Sequence, residues 1–192
     1  SLARGDWGWS PVLGENVLDA LLRRTPVTME LTIFSLLAFI PLGIISGVIA
    51  GARKNSRADN RFRLWAFIAT STPPFVLAIV LMAIFYVMLH WFPPERISDR
   101  FSMDLRSPAF RVYTGLLTVD GLLNGRGDIS LDALRHLALP VITLSLVHWA
   151  TLGRVTRATV IEELQKDYIL AGRARGIPER WITWRHGLRN CL

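Results

Sequence analysis

Cysteine is nearly absent from this chain, whose 192 residues include only Cys191. A single thiol excludes an intrachain disulfide and a thiolate-rich metal site. The phosphate-binding pattern G-x-x-x-x-G-K-[ST] is also missing, so the chain cannot bind ATP in that way. Neither a nucleophile elbow nor an H-E-x-x-H pair occurs. The sequence therefore predicts no catalytic residues, no metal site and no cofactor bound by this chain.

Charge is missing from three long apolar stretches of a chain that is 51% hydrophobic. Residues 31–52, 64–94 and 136–153 contain no Asp, Glu, Lys or Arg. A helix of about 20 mostly apolar residues crosses a hydrocarbon core of roughly 30 Å. The stretches predict an all-α fold, a polytopic transmembrane helical bundle. The predicted spans are 28–52, 64–92 and 132–153.

Basic residues are concentrated in two of the polar segments. Segment 53–63 has five Lys or Arg and one acidic residue, and segment 154–192 has eight basic and four acidic residues. Segments 1–27 and 93–135 carry equal numbers of each sign. Because Lys and Arg accumulate on the cytoplasmic side of membrane proteins, the two basic segments are predicted to be cytoplasmic and the balanced ones external.

The chain is predicted to have three parts. These are a periplasmic and interfacial segment at 1–27, a transmembrane domain at 28–153 with a cytoplasmic loop at 53–63 and a periplasmic loop at 93–131, and a cytoplasmic loop at 154–192. Residues 15–24 are predicted to form a short interfacial helix, which Thr25 and Pro26 turn into the first span. The external start has no signal-peptide pattern, so we expect a fragment that lacks its first span.

Prolines are expected to interrupt the first two spans. Pro41, with Gly43 and Gly47, lies in the first, and Pro73 and Pro74 lie in the second. Proline removes a backbone donor and kinks a helix, which membrane helices tolerate when neighbours satisfy the freed groups. Two interpretations stay open, namely ordinary helix curvature or hinges of a transport pathway at the three prolines.

The basic segment near the end of the chain has the pattern of two helices joined by a tight turn. Residues 154–175 are predicted to be helical, Gly176 to stop that helix, and Pro178 to start a second short helix. Three functions fit this geometry: a solvated basic loop near anionic lipid, a helix-turn-helix that binds DNA, or a docking site for a soluble partner. DNA binding fits poorly, because the hairpin follows its span closely and lacks the rest of a three-helix core.

The same segment resembles the cytoplasmic "EAA" loop of bacterial ABC-transporter permeases, whose pattern is Glu-Ala-Ala, three residues, then Gly. Leu170, Ala171 and Gly172 occupy the leading positions, with Leu for Glu and Gly for the second Ala, and Gly176 occupies the last. The peptide and nickel branch is closer, with a form like D-Y-x-x-x-A-R-A-K-G followed by R-H-A-L-R-N-A. The stretches "GDWGWS", "LLRRTPVTMELT", "LRHLALPVITL" and "GRVTRATVIEELQKDYI" also resemble family segments in the family's order.

This resemblance implies a permease subunit of an ATP-driven importer in the bacterial inner membrane. The substrate would be di- or oligopeptides, or nickel, moved by alternating access. Such a subunit has about six spans, of which this chain would hold about three. The implied partners are a second homologous permease subunit, two cytoplasmic ATPase subunits that hold ATP and Mg²⁺, an external solute-binding protein and the lipid bilayer, with no nucleic acid.

The resemblance also assigns roles to residues of the loop. The ATPase-coupling residues would be Ala171, Gly172, Arg173, Gly176, Ile177, Pro178 and Glu179. The residues that support the loop would be Asp167, Tyr168, Arg185, His186, Arg189 and Asn190. A side chain at Gly176 is expected to strain the turn if φ is positive and to push the two helices apart.

A function of another class stays open, an ion-coupled secondary carrier or a membrane scaffold without any ATPase. A carrier should show buried ionisable residues at mid-membrane. At that depth the predicted spans contain no ionisable residue except His148. Glu30 lies one position before the first charge-free stretch. It is expected to lie at the headgroup level or bond a neighbouring helix, or else to contact substrate or a gate.

Overall fold

The structure, a computed structural model, describes residues 7–187, which are mostly helical. The elements are β1 Trp9–Ser10, β2 Glu15–Asn16, α1 Val17–Ala52, α2 Arg57–Ser71, α3 Pro74–Met82, α4 Asp99–Arg106, α5 Leu117–Leu123, α6 Gly127–Glu163, α7 Asp167–Ala174 and α8 Glu179–Trp181. Two π-helical segments, Ala83–Met88 and Ile182–Gly187, continue α3 and α8. The two short strands pair as an antiparallel hairpin. The predicted all-α class is confirmed.

Within the described part of the chain, two helices are each long and apolar enough to cross a membrane. They are α1, with 36 residues, and α6, with 37 residues. A third candidate span consists of α2 and α3 with its π-helical continuation, which bend by 100° at the break between them. The predicted polytopic membrane fold is confirmed, with two to three spans in this chain.

The prolines affect the two candidate spans differently. Thr72 has extended backbone angles of φ −91° and ψ 124° and ends α2. A residue before proline is pushed away from helical angles, so the Pro73–Pro74 pair explains this break. In contrast, α1 continues through Pro41, and the expected interruption of the first span was wrong. A lone proline costs one backbone hydrogen bond, which a long packed helix absorbs.

The start of α1 also differs from the prediction. A separate interfacial helix at 15–24 with a turn at Thr25 and Pro26 was expected, but α1 runs through both residues without a break. The ring of Pro26 packs so closely on Gly115 that a Cβ there would lie 2.8 Å from the Cβ of Pro26. The helix is therefore held by packing at the position where its sequence favours a turn.

The chain divides into two compact units. One comprises Ser1–Phe34 and Leu81–Val141, and the other comprises Ser35–Val80 and Ile142–Leu192. Long helices contribute to both, because α1 and α6 each contain residues of the two units. Buried carboxylates occur in both units, and the second unit also has a close contact between helices.

In the first unit, the buried carboxylate of Glu30 holds the start of α5. Glu30 is 3% exposed, and one of its oxygens accepts hydrogen bonds from the backbone N–H and the hydroxyl of Thr118, both at 2.7 Å. Its other oxygen accepts from Arg96 at 3.2 Å. A carboxylate at a helix N-terminus satisfies free N–H groups and is favoured by the helix dipole. The structure therefore supports the expectation that Glu30 bonds a neighbouring helix.

Two further buried carboxylates organise the non-helical backbone of the first unit. Asp120 accepts hydrogen bonds from the backbone N–H groups of residues 113–115, at 2.8–3.3 Å. Asp132 accepts from the backbone N–H and the hydroxyl of Ser98, both at 2.8 Å, and from Arg100 at 3.2 Å. Burial of a charge is costly unless it is hydrogen-bonded, and these contacts meet that requirement.

In the second unit, a row of glycines brings α1 and α6 together. Gly43, Gly47 and Gly51 are four residues apart and so share one face of α1. A Cβ at Gly47 would lie only 2.7 Å from the backbone oxygen of Gly153 and 2.7 Å from the Cβ of Thr156. Small residues at this spacing let membrane helices approach until their backbones touch. The glycines expected to interrupt the span therefore form a packing surface.

A test of this contact is Gly47→Ala. The added Cβ meets backbone that cannot move aside, so we expect a loss of about 1–3 kcal/mol of stability, the usual cost of overpacking. Gly127→Ala is the control, because a Cβ there meets nothing within 4 Å. Thermal unfolding of the full-length protein in detergent measures both. An unchanged or raised midpoint for Gly47→Ala would contradict the close packing of α1 on α6.

Candidate functional site

The predicted helix 154–175 is broken in two. α6 ends at Glu163 and α7 begins at Asp167. The buried Glu163 carboxylate accepts a hydrogen bond from the Tyr168 hydroxyl and pairs with Lys166 Nζ at 2.5 Å. The hydrogen bond that Lys166 itself donates to Glu163 is the main reason why the pKa of Lys166 is raised above its ordinary value. These local contacts, between residues three and five positions apart, accompany the end of α6, where helix propensity predicted that the helix would continue.

The turn after α7 has the hydrogen bonds of a Schellman motif. The N–H of Ile177 donates to the carbonyl of Gly172 at 3.2 Å, and the N–H of Gly176 donates to the carbonyl of Arg173 at 2.9 Å. Gly176 has φ +74°, the left-handed conformation that this motif requires at its glycine. The predicted helix stop at Gly176 is therefore present, and its φ is positive as the sequence argument required.

The prediction that a side chain at Gly176 would push the two helices apart was wrong. A Cβ at Gly176 would meet nothing within 4 Å, so a small side chain would not push the helices apart. The constraint on Gly176 is the backbone conformation, which L-residues other than glycine adopt at a cost. A Cβ at Gly172 would lie 3.7 Å from Cδ1 of Ile177 and 3.9 Å from Cδ1 of Ile182. Those are ordinary contacts, so Gly172 has room for a methyl group.

An ion pair joins the two sides of the turn. Arg173 Nε donates to one carboxylate oxygen of Glu179 at 2.7 Å, and its Nη2 donates to the other at 3.3 Å. Both side chains are substantially exposed, so the pair contributes little to stability, about 0–1 kcal/mol. Its two-point geometry links the last turn of α7 to the first residue of α8. Beneath it, Ile169 and Ile182 are each 1% exposed and form the small core of the corner.

The structure brings the predicted coupling residues together at this corner, which we call the α7–α8 corner (residues 167–187). The exposed ones are Ala171, Arg173, Gly176, Pro178 and Glu179, and the half-buried ones are Gly172 and Ile177. Leu170 and Trp181 are also exposed, at 52% and 46%. Sequence reasoning gave neither a role, although Leu170 occupies the first position of the loop pattern. The outward surface of the corner therefore consists of small and apolar residues with charged residues beside them.

The predicted supporting residues have separate positions. Asp167 is the first residue of α7, where the helix dipole stabilises a carboxylate. Tyr168 bonds Glu163 as described above, and the Arg185 guanidinium lies 5.4 Å from the ring centre of Trp181. His186 is part of the π-helical segment that follows α8. Arg189 and Asn190 lie outside the described residues.

The α7–α8 corner also faces the C-terminal end of α1 across a cavity. This cavity has a volume of about 560 Å³. It is lined by Val48, Ile49, Ala52 and Arg53 of α1 and the adjoining turn, and by Glu179, Arg180, Thr183 and Trp184. A displacement of the corner would therefore change the surroundings of a candidate membrane span. Sequence reasoning missed this neighbour, because the two segments are more than a hundred residues apart.

Comparison with known proteins identifies relatives of the whole chain. A family model described as "Binding-protein-dependent transport system inner membrane component" matches residues 39–192. The chain is 35% identical over 191 residues to the probable D,D-dipeptide transport system permease protein DdpB of Escherichia coli K12. It is 33% identical over 192 residues to the di/tripeptide transport system permease protein DppB of Pseudomonas aeruginosa UCBPP-PA14.

A third relative carries a different name. The chain is 32% identical over 194 residues to the putrescine export system permease protein SapB of Escherichia coli K12. These three alignments cover 100% of the chain but 55%, 55% and 59% of the relatives. The chain therefore spans little more than half the length of the curated relatives that it matches.

The two glycines of the α7–α8 corner give a matched pair of variants. Gly176→Ala places alanine at φ +74°, which should destabilise the turn by about 1 kcal/mol. Gly172→Ala has room and improves helix propensity. Amide hydrogen exchange in residues 170–182 of the full-length protein should quicken about fivefold in Gly176→Ala, and slow or stay equal in Gly172→Ala. Equal exchange in both variants would contradict the conformational role of Gly176.

Proposed function

The chain belongs to the family of binding-protein-dependent transport system inner membrane components, and from this premise we propose that it forms part of an ATP-driven importer of short peptides. It is a permease segment of the bacterial inner membrane and not an enzyme. The observation that carries the proposal is the exposed, conformationally fixed α7–α8 corner beside the end of a candidate span. In this proposal the corner docks into an ATPase subunit.

The proposed substrate is a di- or oligopeptide. DdpB and DppB are both named for transport of short peptides, and this supports peptides over nickel, which the sequence resemblance also allowed. SapB is named for export of putrescine, so both direction and solute need a direct test. Alternating access would move the peptide past α1, the bent α2–α3 pair and α6.

The proposed coupling mechanism follows from what holds the corner in shape. ATP and Mg²⁺ would be bound by two cytoplasmic ATPase subunits, and closure of those subunits would move the corner. The hydrogen bonds of the Schellman turn and the buried Ile169 and Ile182 would resist bending, so the motion would pass to the end of α1 as a displacement of a rigid body. The exposed small residues, Ala171 and Gly176, would let the partner's backbone approach closely.

The remaining partners and hinges are proposed on the same premise. A second homologous permease subunit would complete the pathway. An external solute-binding protein would deliver the peptide to the predicted periplasmic loop at 93–131. The break at Pro73 and Pro74 is a natural hinge, because no helical hydrogen bonds cross Thr72 to stiffen it. Pro41, inside the unbroken α1, is the weaker hinge of the three prolines.

A carrier or scaffold without an ATPase is the alternative. Glu30, Asp132 and His136 are buried ionisable residues of the kind a carrier uses. Each is engaged by protein groups, His136 Nδ1 lying 2.7 Å from the carbonyl of Asp132. Those contacts favour a structural role, and the transport test below separates the two classes.

Transport by the complete transporter, with its partner subunits reconstituted in proteoliposomes, tests the function. We expect labelled dipeptide to accumulate only with ATP, and Gly176→Glu to reduce uptake to background while ATP hydrolysis and membrane insertion persist. Gly127→Ala, which lies outside the corner and where a Cβ meets nothing within 4 Å, should transport normally. Uptake driven by a proton gradient without ATP would establish a carrier, and outward movement of putrescine without peptide uptake would refute import. Normal uptake by Gly176→Glu would refute the coupling role.

Crosslinking tests the docking partner independently of transport. A cysteine at the exposed Ala174, with Cys191 replaced by serine, should crosslink to an ATPase subunit in native membranes. Ala174 is preferable to Ile177, whose side chain packs over Gly172. Met103→Cys, 82% exposed in the wild type and far from the corner in sequence, is the control and should give no such adduct. The absence of an ATPase adduct at Ala174 would contradict the proposed docking.

A further inference from the structure

We propose that a pocket between α2 and α6 binds an anionic phospholipid, with its phosphate on two arginines and one acyl chain along α2. The pocket has a volume of about 620 Å³. Its lining residues are Asn60, Phe62, Arg63, Leu64, Phe67, Arg154 and Arg157. The proposal concerns a site apart from the α7–α8 corner and does not depend on which solute is transported.

The charges of the pocket favour an anion. Asp59 is fully buried and accepts hydrogen bonds from Arg157 Nε at 2.5 Å and Nη2 at 2.7 Å. Asn55 N–H donates to the same carboxylate at 2.9 Å. Arg157 is therefore committed to a protein partner. Arg63 and Arg154 are exposed, and neither forms an ion pair within 4 Å in residues 7–187. The pKa of Asp59 is lowered mainly by its hydrogen bond with Arg157 and to a smaller extent by the charge of Arg63. Three arginines therefore face one carboxylate, which leaves an excess of positive charge at the pocket.

The rest of the lining favours an amphiphile over a bare anion. Leu64 and Phe67 are 56% and 67% exposed, and Phe67 lies one helical turn beyond Arg63 on the same face of α2. Phe62 is buried, packs against Gly153 of α6 and forms the inner wall of the pocket. A phosphate ion has no apolar surface that could pack on exposed leucine and phenylalanine. A lipid presents a phosphate and a hydrocarbon chain in this order.

The position of the pocket agrees with a lipid of the cytoplasmic leaflet. Arg63 is the last residue of the basic segment 53–63, and Leu64 is the first residue of the predicted span. The headgroup boundary is therefore expected at the junction between the arginines and the apolar strip. Anionic lipids concentrate in that leaflet, and basic pockets between helices at this level bind their headgroups.

Photocrosslinking tests the proposal on the full-length transporter in nanodiscs. The probe is phosphatidylglycerol with a diazirine in one acyl chain, diluted in phosphatidylethanolamine, and peptide mass spectrometry maps the adducts. We expect adducts within residues 60–67, and a loss of about tenfold in the Arg63→Gln/Arg154→Gln variant. Arg57→Gln/Arg61→Gln removes the same charge from exposed positions that do not line the pocket, and its adduct yield should change less than twofold.

Two further arms identify the ligand. Unlabelled phosphatidylglycerol should compete with the probe, whereas millimolar inorganic phosphate should not, and Arg63→Lys/Arg154→Lys should keep most of the adduct. Equal competition by phosphate would make this a free-anion site and overturn the lipid assignment. Absence of adducts at 60–67 in the assembled wild-type transporter would show that protein covers the pocket, and would overturn it as well. None of these readouts requires transport or ATP hydrolysis, so the proposal can fail independently of the proposed function.

Discussion

The close contact between α1 and α6 is the constraint on which the second unit depends. In a bilayer, apolar side chains gain little by leaving lipid for one another, so helices associate through backbone proximity and polar contacts. Gly47 supplies that proximity opposite Gly153 and Thr156, and the indole N–H of Trp149 adds a hydrogen bond to Ser46 at 2.9 Å. Because α7 and α8 follow α6 directly, the place where α6 meets α1 decides where the α7–α8 corner lies.

Buried carboxylates provide the second source of order, and each carries a different segment. Glu30 holds the start of α5, Asp120 and Asp132 gather backbone N–H groups of the first unit, and Asp59 ties the turn after α1 to α6 through Arg157. A buried charge is tolerated only when its hydrogen bonds are complete, so each carboxylate specifies one arrangement of its partners. The irregular segments are thereby as defined as the helices that flank them.

The same physical requirements connect the architecture with the proposed coupling role. A docking element must hold its shape when a partner moves it, and the α7–α8 corner is held by the hydrogen bonds of a turn with a left-handed glycine and by two buried isoleucines. It must also expose a surface that a partner can approach, and the corner leaves alanines and Gly176 outward. Membership of a family of transport permeases gives that combination a consistent purpose.

The sequence by itself determined the membrane class, the all-α fold, the glycine stop at residue 176 and the family, because apolar length, charge and local turn chemistry are properties of short segments. Tertiary structure decided that Glu30 holds Thr118 and that Asp59 pairs with Arg157, and only the folded structure shows that α1 passes through Pro26 and Pro41. These outcomes depend on what lies opposite each residue. Propensity cannot show that Gly115 receives Pro26 or that Asp59 pairs with Arg157, since such partners are distant in the sequence and become neighbours only when the chain has folded.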